Sequence, residues 1–335
     1  MARRNAQTRR GNFFHELRYR IGEYALRGLI SLLGWVPYRL LVHSTTFCAW
    51  ISFRLLWKYR TRMEENVAMA LGDRMVIAAD RKALVWQAWK NFARGVLETC
   101  AVMHLSKEAI LSKIAIEGEE HLKQALAKGK GVLGLSAHLG AFTTIGPRVA
   151  AGGYPFSIVV KQPKDEHFAR CLDELRARLG VGTISAKPRR EAVRGILKGL
   201  RQNRVVLVIA DEFKSGDVIV DFMGHSSPAP RGPATLALRT GAVTLPIFSI
   251  WRPDGSLGLL IGPEIVPVRL EALEESVAAT TALFTRHLEG AIRRYPEQWN
   301  WLGLPRNRRI PRSEDKKSTA PTPGPTLAPD QVDDG

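Results

Sequence analysis

The sequence predicts an α/β protein with a mainly parallel sheet covered by helices, preceded by helices that associate with a membrane. From Lys128 onward, short apolar runs of strand length alternate with longer amphipathic segments of helix length. This alternation is typical of a parallel sheet with helices on both faces. A separate observation, a basic and tryptophan-rich apolar stretch before this region, predicts the membrane-associated element.

Residues 1–62 form the first predicted region, a basic N-terminus followed by an apolar helical element. The longest uncharged run, Leu40 to Phe53, is shorter than the roughly 20 residues that a spanning helix needs. Arg27, Arg39 and Arg54 interrupt the apolar stretch, and tryptophans lie among the cations. We expect an element that lies in the membrane interface, or a tilted anchor with snorkelling arginines. The alternative is a buried helical hairpin of a soluble domain.

Residues 63–310 form the second predicted region, with a helical lead-in over 63–127 and an α/β core over 128–310. The lead-in carries aromatic and aliphatic side chains at helical spacing, which predicts an amphipathic packing face. The candidate strands of the core are GVLGLSAH, FSIVVKQ, RVVLVIADE, DVIVDF, AVTLPIFSIW and LGLLIGPEIV, and its candidate helices are KDEHFARCLDELRARLG, REAVRGILKGLRQN and GPATLALRTG. Residues 311–335 are rich in Pro, Ser, Thr and Asp, so we expect a disordered tail.

The composition limits the classes of function. A net charge of +17 predicts attraction to an anionic partner, which is a nucleic acid, an anionic membrane surface, or an acidic carrier or substrate. The three cysteines are far apart, and no metal-site spacing of His or Cys occurs, so we expect neither a disulfide framework nor a bound metal. No nucleic-acid-binding motif accompanies the charge, so we expect no nucleic acid among the partners.

Two polar clusters follow predicted strands of the core. His138 comes after GVLGLSA, and Asp211 with Glu212 comes after VVLVI. Ligands of open α/β sheets bind beyond the carboxyl ends of the strands. A carboxylate beside a histidine fixes its tautomer and stabilises the imidazolium that forms when it takes a proton. The pattern therefore predicts a His138 base that pairs with one of the two acids. The alternative is a structural histidine with acids that cap a helix or form surface ion pairs.

A basic, turn-rich segment follows later in the core. Arg231 and Arg239 flank a predicted helix that starts at Gly232-Pro233, and a helix N-terminus with a nearby arginine suits a phosphate or a carboxylate. The alternative is ordinary helix capping with solvated arginines. A second basic run over 187–201 is either a solvated helix face or a surface for anionic headgroups or an acidic carrier protein.

Six blocks in order resemble the late acyltransferases of lipid A biosynthesis, the family that includes the lauroyl and myristoyl transferases. The blocks are AHLGAF, GYPFSIVVKQP, RARLG, VVLVIADE, DFMGHSSPAPRGPATLALRTGAVTLPIF and RRYPEQWNW. The resemblance implies a glycerolphosphate-acyltransferase-like fold at the cytoplasmic face of the inner membrane. It implies transfer of a fatty acyl group from acyl carrier protein or coenzyme A to a hydroxyl of a lipid A precursor or related anionic glycolipid. It implies no cofactor besides that thioester donor.

The resemblance also implies which residues form the site. The family motif is H-x4-[DE], a histidine base and an acid that orients it; His138 matches the histidine, but Thr143 stands where the acid should be. Asp211 matches the family's acid after the following strand, and Thr143 is expected to contact substrate. The other implied substrate contacts are cationic: Lys161, where the family usually shows arginine, Arg176, Arg231 and Arg239.

The missing motif acid leaves alternatives open. Thr143 can hydrogen-bond an imidazole but cannot offset its positive charge, and in serine proteases a neutral replacement of the orienting aspartate costs about 10⁴ in turnover. We therefore expect an active, divergent acyltransferase in which Asp211 or Glu212 supplies the carboxylate. The alternative is a catalytically impaired lipid-binding relative that keeps the scaffold. A nucleic-acid-binding protein is a third hypothesis, suggested by charge alone.

Overall fold

The computed structural model describes residues 38–72 and 78–304, together with Tyr24, Gly28, Ser31, Leu32 and Val36. The α-helices of this part are α1 Tyr38–Leu55, α2 Trp57–Leu71, α3 Ala78–Val102, α4 Lys107–Lys113, α5 Glu119–Ala127, α6 Ile145–Ala151, α7 Glu166–Arg178, α8 Arg189–Arg201, α9 Gly232–Thr240 and α10 Leu273–Arg294. The strands are β1 Ile114–Glu117, β2 Val132–Ser136, β3 Phe156–Val160, β4 Val181–Ser185, β5 Val205–Ile209, β6 Val218–Phe222, β7 His225–Ala229, β8 Val243–Trp251 and β9 Leu257–Ile261. Short 3₁₀ helices cover Phe142–Thr144 and Pro296–Gln298.

A seven-stranded sheet forms the centre of the described part, in the order β1-β9-β8-β2-β5-β3-β4. Its neighbouring strands run parallel except β8 and β9, which are antiparallel. This confirms the α/β class and the mainly parallel sheet. Strands β6 and β7 form a separate antiparallel pair.

Strand β2 lies at the middle of the sheet, which explains its mostly apolar sequence. All five of its residues are buried, because β5 and β8 flank it and helices cover both faces. Leu133 and Leu135 pack into the cluster on one face, and Val132 packs into the cluster on the other. Gly134 is required between them, since a Cβ there would lie 2.9 Å from a methyl group of Leu207.

The apolar core is divided between the two faces of the sheet. One cluster joins β2 to helices α2, α3, α9 and α10 and to the C-terminal segment 296–304. The other joins the opposite face of the sheet to helices α4, α5 and α6. The N-terminal helices thus lie on the same face as the C-terminal segment, and both reach the edge of the sheet where β2 ends.

Most strand and helix predictions for the core are confirmed. Five of the six candidate strands form β2, β3, β5, β8 and β9 of the central sheet, and the three candidate helices form α7, α8 and α9. The sixth, DVIVDF, is a strand, but it pairs with β7 in a hairpin outside the sheet. The two-residue turn Met223-Gly224 explains this, because both residues have positive φ (57° and 82°), as a tight hairpin turn demands.

Several helices and strands of the structure were not predicted from the sequence. The lead-in is mostly helical, as predicted, but it also contains the short edge strand β1, which pairs with β9. Strands β4 and β7 and helices α6 and α10 were not among the candidates. Strand β1 has only four residues, and both β1 and β4 have a single buried residue, so neither gives a distinctive apolar run.

The N-terminal region contributes helices α1 and α2, and α2 continues through position 62. None of the helices that the structure describes is both long and apolar enough to cross a membrane. Membrane association stays a prediction, as does the division into 1–62, 63–310 and 311–335. The predicted tail and the basic N-terminal residues before α1 lie outside the described residues, apart from the few positions named above.

Candidate active site

The ends of two neighbouring strands bring His138 and Asp211 together. Strands β2 and β5 are parallel neighbours, with Ser136 paired to Ile209. His138 and Asp211 each lie two residues beyond this pair, so they leave the sheet side by side at the carboxyl edge. Ligand sites of open α/β sheets form at this edge.

The carboxylate of Asp211 is held by three hydrogen bonds. Its Oδ1 lies 2.8 Å from Nδ1 of His138, and its Oδ2 accepts the backbone N–H of His138 at 2.8 Å. The indole Nε1–H of Trp299 donates to the same Oδ2 at 2.7 Å. The Asp211 side chain is 1% exposed, so the three donors replace the water that a carboxylate would otherwise need.

The two groups shift each other's pKa in opposite directions. Burial alone would lower the pKa of His138, but the hydrogen bond and charge of Asp211, with the charge of Glu212, raise it above the ordinary value. Burial alone would raise the pKa of Asp211, but the contacts with His138 and Trp299 hold it below the ordinary value. At neutral pH Asp211 is therefore a carboxylate, and it favours a proton on the imidazole.

The imidazole presents its second nitrogen to a cavity. Because Nδ1 faces Asp211, Nε2 is the atom left for a ligand, and the side chain is 30% exposed. Phe142 packs edge-on against the ring with a centroid separation of 5.0 Å, which fixes the ring plane. A neutral imidazole in this setting carries its proton on Nδ1 and offers Nε2 as a base.

The cavity has a volume of about 630 Å³ and a mostly apolar lining. Helices α1, α2 and α3 supply most of its wall, including Cys48, Met63 and Phe92, and the segment 298–302 closes the side next to His138. This volume is ordinary for a small-molecule site. The arrangement places the imidazole of His138 in the lining of a mostly apolar cavity.

Buried polar groups attach helix α3 to the sheet beside the site. Glu98 is fully buried and accepts hydrogen bonds from Arg94, at 2.8 Å, and from the indole of Trp251, at 2.7 Å. Gln298 in turn donates to and accepts from the backbone of Trp251. These contacts tie the α3 wall of the cavity to strand β8.

The segment after Pro296 completes the site, and its role was not assigned from the sequence. Gly140 N–H donates to the carbonyl of Gln298, and Asn300 N–H donates to the carbonyl of His138, so the segment pairs with the His138 loop. The signal was the block RRYPEQWNW, which carried the family resemblance without a role for any of its side chains. Within that block, Trp299 is the residue that contacts Asp211.

Thr143 and Glu212 occupy different surroundings from Asp211. Thr143 is exposed at the cavity, and its hydroxyl lies 2.6 Å from the hydroxyl of Thr99. Since Thr99 donates to the carbonyl of Gly95 at 2.6 Å, Thr143 donates to Thr99. Glu212 is exposed and acts on His138 through its charge. The structure thus brings His138, Asp211 and Thr143 to one site and leaves Glu212 at its surface.

The four predicted cationic contacts are described residues, and none of them lines the cavity. Arg176 pairs with Asp173 at 2.9 Å, and Arg231 pairs with Glu274 at 2.7 Å. Lys161 and Arg239 are exposed. Their proposed contacts with substrate stay predictions. Within the part of the chain that the structure describes, no group of three or more His, Cys, Asp or Glu side chains could hold a metal ion.

The sequence profile of the bacterial lipid A biosynthesis acyltransferases matches residues 11–306. The chain belongs to this family. The membership confirms the resemblance drawn from the six sequence blocks, and it makes the protein an acyltransferase of the lipid A and glycolipid class. In this family member, the threonine of the H-x4-[DE] motif contacts helix α3, and a carboxylate from the next strand of the sheet contacts the histidine.

Curated relatives of this acyltransferase fall into two groups by name. A phosphatidylinositol mannoside acyltransferase of Mycolicibacterium smegmatis is 29% identical over 72% of this chain and 77% of its own length. The phosphatidylinositol mannoside acyltransferase of Mycobacterium tuberculosis H37Rv is 26% identical over 72% and 75%. A lipid A biosynthesis acyltransferase of Haemophilus influenzae is 23% identical over 82% and 83%.

Proposed function

We propose that this acyltransferase moves a fatty acyl group from a thioester carrier to a hydroxyl of a membrane glycolipid, with His138 as general base. The observation that carries the proposal is the His138–Asp211 pair at one end of a mostly apolar cavity. Asp211 orients the imidazole and stabilises the imidazolium. This is the role that the family motif gives to an acid at position 143.

The proposed reaction uses one proton acceptor and returns the proton at the end. Nε2 of His138 takes the proton of the acceptor hydroxyl as its oxygen attacks the thioester carbon. The tetrahedral intermediate then collapses, the C–S bond breaks, and the imidazolium gives the proton to the leaving thiolate. The buried carboxylate of Asp211 lies next to the positive charge that exists between these two steps, which lowers the barrier.

The cavity suits the hydrocarbon chain of the donor. Its wall of leucine, valine, methionine and aromatic side chains has little to offer a polar ligand, while a fatty acyl chain gains about 0.8 kcal/mol for each methylene it buries. A chain in this cavity would hold its thioester carbon beside His138. The donor would be an acyl carrier protein or coenzyme A thioester, and the chemistry needs no metal or redox cofactor.

The acceptor we propose is a phosphorylated glycolipid, either a lipid A precursor or a phosphatidylinositol mannoside-like lipid. The names of the relatives support both types, and both offer sugar hydroxyls next to anionic groups. The net charge of +17 favours such an anionic acceptor. Lys161, Arg176, Arg231 and Arg239 are the cations that we expect to contact its acidic groups or those of the donor.

A surface of helix α1 supports binding to a membrane interface, and we propose that this is the cytoplasmic face of the inner membrane. Phe47, Trp50 and Leu55 are exposed there, and the guanidinium of Arg54 lies 3.9 Å from the Trp50 ring centroid. Exposed aromatic and aliphatic groups with cations beside them are typical of interfacial membrane binding. Co-sedimentation with vesicles that contain anionic lipid tests this location, and equal recovery with and without vesicles would argue against it.

Acyl transfer by active-site variants tests the proposal. We expect His138→Ala and Asp211→Asn each to lower turnover by about a thousandfold or more, since one removes the base and the other its compensating charge. The comparison variant is Glu212→Gln, which removes the exposed neighbouring carboxylate and should cost far less. Unchanged rates of acyl transfer in His138→Ala and Asp211→Asn would contradict the proposed roles of these two residues.

Lipid mass spectrometry of a deletion strain tests the acceptor. A lipid that lacks one acyl chain identifies both the reaction and the hydroxyl that receives the chain. The alternative function, a catalytically impaired lipid-binding relative, was suggested by the missing motif acid. The contact between Asp211 and His138 supports the active enzyme over that alternative, and an unchanged lipid profile in the deletion strain would reverse the preference.

A further inference from the structure

Helix α3 lines the cavity over about three turns, from Thr99 back to Ala88. At the reactive end, Thr99 contacts Thr143 next to His138. The cavity-lining residues of α3 extend from there back to Ala88 and Trp89, and the earlier described residues of the helix do not line it. Trp89 is therefore the last bulky side chain that α3 places in the cavity wall.

The indole of Trp89 is fixed in place. Its Nε1–H donates to the hydroxyl of Ser52 at 2.9 Å, and that hydroxyl donates to the carbonyl of Ala49 at 3.1 Å. The ring of Phe53 packs edge-on against the indole with a centroid separation of 5.6 Å. Because Ser52 and Phe53 belong to α1, these contacts tie α1 to α3 at the part of the cavity wall that lies farthest along α3 from Thr99.

The length of this wall can be expressed as a number of carbons. Ten residues separate Thr99 from Trp89, and at a rise of about 1.5 Å per residue they span about 15 Å. An extended hydrocarbon chain advances about 1.3 Å per carbon, given a C–C bond of about 1.5 Å. The wall thus matches a chain of about twelve carbons.

We propose that Trp89, held by Ser52, sets the length of the acyl chain that this enzyme accepts, at about twelve carbons. The inference rests on the proposed use of the cavity for the acyl group. A longer chain meets the indole and leaves its last carbons outside the cavity. A shorter chain leaves apolar wall unfilled and loses affinity with each missing methylene.

Binding of saturated fatty acids tests the length limit without any need for turnover. The full-length protein is titrated with chains of roughly eight to eighteen carbons that displace a fluorescent fatty acid. Affinity should rise about fourfold per added methylene and stop rising near twelve carbons. In Trp89→Ala the rise should continue for about four more carbons, which is the length that the indole occupies. Trp89→Phe keeps an aromatic ring in the core and should shift the limit by a smaller amount.

The matched control is Trp86→Ala. Trp86 lies one turn earlier on α3 and also packs edge-on against Phe53, at 5.2 Å, but it does not line the cavity. The Trp86→Ala variant should leave the limit on chain length near twelve carbons. Ser52→Ala keeps the indole but removes its hydrogen bond, and we expect a less abrupt limit. A limit at the same length in folded Trp89→Ala and Trp89→Phe, or no limit in the unmodified protein, would overturn the inference.

A parallel titration of His138→Ala separates this inference from the proposed reaction. The variant lacks the base but keeps the wall, so it should bind fatty acids with the same length limit. A length limit that moves in Trp89→Ala, together with absent acyl transfer in the unmodified protein, would count against the reaction and for Trp89. If the protein transferred acyl chains with a length preference that did not change in Trp89→Phe, the result would contradict the role of Trp89 but not the proposed reaction.

Discussion

Trp299 donates its indole N–H to the same carboxylate oxygen of Asp211 that accepts the backbone N–H of His138. The acid is therefore fixed by two donors on one oxygen while its other oxygen faces the imidazole. This leaves the carboxylate little freedom to rotate away from His138. The tryptophan thus positions the carboxylate, and the carboxylate positions the imidazole that we propose as the base.

Trp299→Phe should weaken both the fold and the reaction. It removes a hydrogen bond to a buried charged group, which is worth about 1.5–3 kcal/mol of unfolding free energy. Turnover should fall by about tenfold or more because Asp211 loses part of its restraint. Urea unfolding and steady-state kinetics measure the two effects. The matched variant is Trp301→Phe, whose indole donates to the neutral carbonyl of Pro296 and should cost about 1 kcal/mol. Equal behaviour of the two variants would contradict the positioning role.

The rate of acyl transfer should follow the protonation of His138. An imidazolium cannot accept a proton, so kcat/KM should rise with pH and level off above the pKa of His138, which lies above its ordinary value. Glu212→Gln removes one of the charges that raise this pKa, so the midpoint should move to lower pH. A pH–rate profile of the two proteins measures the shift, and an identical midpoint would refute the electrostatic role of Glu212.

The same pair makes stability depend on pH. Because the folded state raises the pKa of His138, folding favours the imidazolium, and this contribution is full below the ordinary pKa of histidine. It is lost as the pH rises through the raised value. His138→Gln should remove that dependence from urea unfolding curves measured across this pH window. A dependence of the same size in the variant would assign it to another group.

A carboxylate at position 143 should give no gain in turnover. Thr143 faces Thr99, and Nδ1 of His138 already contacts Asp211, so Thr143→Glu adds a charge near the imidazole without a new role. We expect the pKa of His138 to rise further and the rate at neutral pH to stay equal or fall. Thr143→Val, which only removes the hydroxyl, is the neutral comparison. A clear increase in kcat for Thr143→Glu would show that the motif acid has a role that Asp211 does not fill.

Gly140→Ala should unfold the loop that carries His138. Gly140 has a φ of +58°, and a Cβ there would lie 2.1 Å from the carbonyl oxygen of Ser249. Relief requires the loop to leave strand β8, and we expect a loss of more than about 3 kcal/mol of unfolding free energy. Gly153→Ala is the matched control, since φ is +88° but no atom lies within 4 Å of the added Cβ. It should cost about 1 kcal/mol. If thermal or urea unfolding gave similar losses of unfolding free energy for Gly140→Ala and Gly153→Ala, the contact of Gly140 with β8 would be dispensable.

The sequence was sufficient for the elements that bury most completely. Strands β2, β5 and β8 are mostly apolar and could be predicted directly, and the polar residues that follow β2 and β5 were candidates by position alone. The choice between Asp211 and Glu212 could not be made, because neighbouring residues leave a strand in different directions. Which of the two acids contacts His138 depends on which side chain is buried at the edge of the sheet, and that is a property of the packed structure.

Other parts of the site could not be predicted from local patterns in the sequence. The order of strands places β5 beside β2 although β3 and β4 lie between them in the chain. Trp299 acts on Asp211 across 88 residues of sequence. The cavity wall comes from helices whose apolar residues look like any packing face until α1, α2 and α3 are seen to surround an open space. Long-range packing, which a pattern of neighbouring residues does not encode, produced each of these features.

The docking of segment 296–304 also links the candidate site to the last described residues of the chain. Arg62 and Asn66 of α2 bind backbone carbonyls of Trp301, Leu302 and Leu304, so this segment adheres to the N-terminal helices as well as to the His138 loop. A chain that ends before position 299 lacks the indole donor that holds the Asp211 carboxylate. Under the proposed reaction, we expect such an incomplete chain to be a poor acyltransferase although it carries both His138 and Asp211.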